Sequence, residues 1–83
     1  MDKKEIVERV QNIFRDVLNN DTIILKENDS TDSIKGYDSL THIQILSEVQ
    51  ESFGIKFTAK EMISWDTVGE MCDTVITKIN MKN

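Results

Sequence analysis

The chain has 83 residues, 39% of them apolar, and a formal net charge of −5. That length supports one domain, spanning 1–83, with one core, and it is short for a pocket walled on several sides such as most enzymes need. No apolar run exceeds Ile23-Ile24-Leu25, so no membrane span or signal-peptide core is expected, and the single cysteine, Cys72, excludes an intramolecular disulfide or a cysteine metal cluster. The expectation is a cytoplasmic monomer.

Ile6, Val7, Val10, Ile13, Phe14, Val17 and Leu18 recur on one helical face and predict a first helix over residues 3–18, with Asp2 as its cap and Glu5 as reciprocal partner. Asn19 to Asp38 lacks clear periodicity. Twenty residues is long for a loop in a compact domain, and Ile23, Ile24, Leu25, Ile34 and Tyr37 are expected to pin it to the bundle. A second helix is predicted from Ser39 to Phe53, with Gly54 as its C-cap. Thr58 and Glu61 have the spacing of a capping box and open a short helix through Met62 and Ile63. Thr67 and Glu70 form another such box before Val68, Met71, Cys72, Val75, Ile76 and Ile79, the apolar face of a last helix. Nothing alternates with period two. The predicted fold is all-α, a four-helix bundle with three long helices, one short helix and a long loop between the first two.

Charge is concentrated in the middle of the chain. Residues 16–51 hold eight acids against Lys26 and Lys35. Such a segment disfavours nucleic acid and anionic membrane and favours a basic protein partner, although a solvated face kept for solubility needs no partner. On the second helix, at 100° per residue, Ile45, Val49, His42, Phe53 and Leu46 form one stripe facing the core. Leu40 and Ile43 fall about 160–220° from Ile45 by the same geometry. Gln44, Glu48 and Glu51 flank them, with Ser47 on the same side. An apolar pair rimmed by acids suits docking; equally, neighbouring segments could cover it. Ser39 stands at the helix start, where unpaired N–H groups and the positive dipole end suit an attached phosphate. Asp38 and Ser39 are also good N-caps, which need no further role.

Gly36-Tyr37-Asp38-Ser39-Leu40, followed by an amphipathic helix, Phe53-Gly54-Ile55 and Thr67-Val68-Gly69, resembles the acyl carrier protein family over nearly the whole chain. The resemblance implies that 4′-phosphopantetheine, transferred from coenzyme A by a phosphopantetheinyl transferase, is attached at Ser39 and carries acyl groups as thioesters. It further implies that partner enzymes with basic docking surfaces, which load and process the acyl group, read the second helix. The contact set expected is Asp38, Leu40, Ile43, Ser47, Glu48 and Glu51. Within the family, Thr41, Gln44 and Gln50 are neutral where housekeeping fatty-acid carriers are acidic, which suggests a specialised biosynthetic pathway. A carrier loaded with an amino acid by an adenylating enzyme is the variant reading, and an unmodified helical interaction domain is the rival from another class.

Three sharper readings fail on the residues. Asp38, Ser39 and His42 resemble parts of a serine hydrolase, but 83 helical residues supply no oxyanion hole or distant histidine. No register of Asp29, Asp32 and Asp38 meets the calcium-loop pattern, so no metal site is expected. Cys72 lies on the apolar face of the last helix and reads as a buried structural thiol. His42 reads as a packed or half-buried histidine, and Trp65 as packing between the short helix and the last one.

Overall fold

The computed structural model describes residues 2–81; Met1, Lys82 and Asn83 of the expected domain lie outside the described residues. In chain order it contains α1 (Lys3–Leu18), a 3₁₀ turn (Thr31–Ser33), α2 (Ser39–Phe53), α3 (Ala59–Met62) and α4 (Val68–Met81). The helix boundaries follow local chemistry. The Asp2 carboxylate accepts from the Glu5 N–H at 2.9 Å and starts α1. Asn19, with φ 52°, ends it in the left-handed region that asparagine tolerates. Gly54, with φ 65°, ends α2, and the Ile55 N–H returns to the Gln50 carbonyl. Thr58 and Glu61 complete the box expected before α3. Before α4 the box is modified. Glu70 N–H donates to the Thr67 hydroxyl at 3.2 Å, but the Glu70 carboxylate accepts from the Asp66 N–H, one residue earlier than the motif predicts.

The core joins Ile6, Val10 and Phe14 of α1, Ile45, Leu46 and Val49 of α2, and Val68, Met71, Cys72 and Val75 of α4. α1 is the element packed against both α2 and α4. α3 contributes no buried residue and is held at the edge.

The long connection is stitched down at several points. The Leu25 N–H donates to Gln11 Oε1 at 3.0 Å, and Arg15 Nε donates to the Ile23 carbonyl at 2.8 Å. Ile23 and Leu25 are buried, and Ile34 and Tyr37 pack against the core. Ile24 corrects the expectation: it is 69% exposed. Extended backbone sends neighbouring side chains to opposite sides, so Ile23 and Leu25 turn inward together and Ile24 outward. The Glu27 and Asp29 carbonyls accept from the Gly69 and Val68 N–H groups at 2.8 and 2.9 Å, satisfying donors that the first turn of α4 leaves unpaired. Gly69 permits this approach, because a Cβ there would sit 2.9 Å from the Glu27 carbonyl oxygen.

Candidate functional site

Gly36, with φ 89°, makes the turn that delivers the chain to α2. Asp38 is extended and takes the N-cap. Its carboxylate accepts from the Thr41 N–H at 2.9 Å, and its own N–H donates to the Thr41 hydroxyl at 2.7 Å. The Thr41 N–H, and the Thr41 side chain after it, hold the Asp38 carboxyl below its ordinary range. The cap is therefore complete without Ser39. Ser39 is the first helical residue and is exposed, with its hydroxyl outside the capping bonds.

Leu40 and Ile43 are 65% and 66% exposed. Among the described residues no other segment covers them, so the alternative that sequence left open does not hold there. Ser47, Glu48 and Glu51 are exposed on the same helix. Among the described residues, none of the salt bridges involves Asp38, Glu48 or Glu51, so α2 presents an acidic rim around an apolar pair. Thr41 and Gln50 are a different matter. Thr41 closes the cap, and Gln50 Oε1 accepts from the Phe57 N–H at 2.9 Å. Both side chains serve the backbone. Of the three neutral positions singled out in the sequence, Gln44 is the one that is exposed, Thr41 and Gln50 being partly buried.

Beside Ser39 runs a groove of about 1290 Å³ between α2 and the segment around α3. Its walls include His42, Ile43 and Leu46 from α2 and Met62, Ile63 and Trp65 from the other side. Ile63, at 85% exposure, stands on its rim. The sequence reading assigned no groove role to Met62, Ile63 or Trp65. The available signal was an apolar pair, Met62-Ile63, on a helix too short to bury both. Trp65 packs edge-on to Phe57 with centroids 4.9 Å apart, and its indole N–H donates to the Thr74 hydroxyl of α4 at 2.9 Å. His42 is half-buried, as expected, and bonded on both ring nitrogens: to the Tyr37 hydroxyl at Nδ1 and to the Met62 carbonyl at Nε2 (3.0 Å). Cys72 is fully buried, and burial pushes its thiol up to about 12, which disfavours the reactive thiolate.

The arrangement offers an accessible hydroxyl on the first residue of a long helix, a positive helix end for a phosphate, and an adjacent groove with apolar walls. These features fit a phosphate-linked arm anchored on a serine. The phosphopantetheine attachment site family matches residues 8–75 of the chain. The solution NMR structure of holo acyl carrier protein from Geobacter metallireducens superposes with a TM-score of 0.85 at 30% identity, covering 93% of this chain and 88% of that one. None of the curated proteins matches. Among the described residues no helix is long and apolar enough to cross a membrane. The match over most of the length, the shared four-helix architecture and the groove beside an exposed serine lead to one assignment: the chain belongs to the acyl carrier protein family, non-catalytic carriers with a covalently attached phosphopantetheine group.

Proposed function

We propose that Ser39 is the attachment residue and that the chain carries acyl intermediates for a specialised biosynthetic pathway. The observation that carries this reading is the division of labour at the start of α2: Asp38 and Thr41 close the cap on each other, leaving the Ser39 hydroxyl exposed for modification. The group supplies, when attached, a terminal thiol that holds an acyl chain as a thioester. The chain's own residues do the rest. The N-terminal N–H groups of α2 favour the phosphodiester charge. Leu40 and Ile43 give a partner an apolar anchor, and Asp38, Glu48 and Glu51 steer basic enzyme surfaces, chiefly through encounter rate and partner discrimination. A phosphopantetheinyl transferase and acyl-loading and acyl-processing enzymes are the partners. The pathway reading rests on the low acid count of α2, which holds Glu48 and Glu51 alone.

Intact mass after incubation with coenzyme A and a broad-specificity phosphopantetheinyl transferase tests the attachment. The expected gain is one phosphopantetheinyl group, absent in Ser39→Ala; a gain that survives Ser39→Ala refutes the assignment. For the pathway, Gln44→Glu adds a rim charge without touching the cap or the Phe57 bond. Improved elongation of this variant by housekeeping fatty-acid enzymes is expected, and a wild type already as active as a housekeeping carrier would sink the specialised reading.

A further inference from the structure

One residue lining the groove beside Ser39, His42, neither caps a helix nor belongs to the apolar core. It lies roughly one turn beyond Ser39, about 4.5 Å along the axis, and its ring bonds to two other segments, the loop at Tyr37 and α3 at Met62. The Met62 carbonyl can only accept, so His42 Nε2 carries the proton. In the neutral ring Nδ1 is then the acceptor, and the Tyr37 hydroxyl donates to it. Burial pushes the Tyr37 phenol up to about 12, which keeps that donor protonated. Tyr37 is in turn stacked on Phe14 of α1, with centroids 5.8 Å apart. The ring is thereby oriented from the core side and presents one N–H to the last carbonyl of α3.

Two other polar ties of the α3 segment lead to α4. Glu61 pairs with Lys78 of α4 at 2.9 Å, and Trp65 donates to Thr74 of α4 at 2.9 Å. Gln50 holds Phe57, before α3 begins. The His42 bond to Met62 thus joins α2 to α3, and both residues line the groove beside Ser39. Leu46 and Trp65 line the same groove.

We infer that His42 is a positioning residue, a latch that holds α3 against α2, and that cargo carried from Ser39 enters the groove by releasing the bond between His42 and the Met62 carbonyl. The cargo half of this inference rests on the Ser39 assignment; the latch half does not. Glutamine reproduces the Nε2 donor of histidine and asparagine the Nδ1 position, so the two variants separate the bond to Met62 from the bond to Tyr37. In the unmodified chain, amide exchange of Met62 and Ser64 followed by NMR is expected to speed up about two- to tenfold in His42→Ala and His42→Asn, the effect of one lost hydrogen bond. His42→Gln should stay near wild type. Equal exchange in the Gln and Asn variants, or no change in His42→Ala, overturns the latch. The chain is then loaded with an octanoyl arm from octanoyl-coenzyme A and the transferase. Loading should speed Met62 exchange in wild type and add nothing in His42→Ala, where the bond is already gone. Additive effects overturn cargo-driven release. Absence of any mass gain on loading refutes the Ser39 assignment and the cargo half together, while the exchange comparison in the unloaded chain still decides the latch.

Discussion

The two flanks of α2 are built differently. On the α1–α4 flank, the loop is fixed by backbone bonds from Val68 and Gly69, side-chain bonds from Gln11 and Arg15, and the buried side chains of Ile23 and Leu25. Lys3 adds a three-way tie, with Nζ 2.7 Å from Glu27 and 2.9 Å from Asp73. On the α3 flank, a four-residue helix has no fully buried residue; Met62 and Trp65 are only partly buried against the core, and single polar contacts complete the attachment beside an open groove. Local stability follows the number of buried contacts and internal hydrogen bonds. The first flank defines the fold, and the second leaves room beside the serine for what the serine carries.

The largest test of this contrast is Gly69→Ala. A Cβ 2.9 Å from the Glu27 carbonyl must displace the loop or the start of α4, and neither is a flexible side-chain end. The expected loss is about 1–3 kcal/mol of folding stability, read as a lower midpoint in urea. A stability unchanged within error would mean that the loop is as adaptable as the groove side. On that side, Thr58→Ala removes the cap of α3 and should cost about 0.5–2 kcal/mol locally. Amide exchange should rise in Glu61 and Met62, while the global urea midpoint moves far less, because α3 buries no residue. A full shift of the global midpoint would join α3 to the cooperative core and remove the distinction.

Acid titration gives a smaller effect. The Asp38 carboxyl is lowered from 3.8, first by the Thr41 backbone N–H, and the Glu61 carboxyl from 4.5, first by the Thr58 backbone N–H. Groups lowered on folding stabilise fully above their ordinary values, and the stabilisation disappears as pH falls through the lowered folded values. Melting temperature should therefore fall between about pH 5 and pH 2, and less steeply in Asp38→Asn and Glu61→Gln. Lys3 has the opposite sign. Asp73 and then Glu27 raise its value above 10.5, so its contribution is complete below that value and is lost at strongly alkaline pH. Salt gives the smallest response. The unpaired acids of α2 and the loop repel one another, and screening should raise the melting temperature between low and moderate salt. A flat or falling trend would show that the partly exposed Lys3 pairs outweigh that repulsion.

The helices were legible because their causes are local. The apolar period of α1, the Thr58–Glu61 box, the glycine after Phe53 and the serine at the start of α2 each act within one or two turns, so sequence alone places α1, α2 and α3 and puts Ser39 at a helix end. It also places Leu40 and Ile43 off the core face by angle. What covers a face is not a local property: only the packed molecule shows the pair open to solvent. The same limit explains Ile24, whose direction depends on the loop path, and Thr41 and Gln50, which resemble missing surface acids until their backbone partners are in place. The groove is wholly tertiary. Its two sides come from segments twenty residues apart, and the contact that bridges them, His42 to the Met62 carbonyl, involves a backbone acceptor that every residue carries and no side-chain pattern encodes.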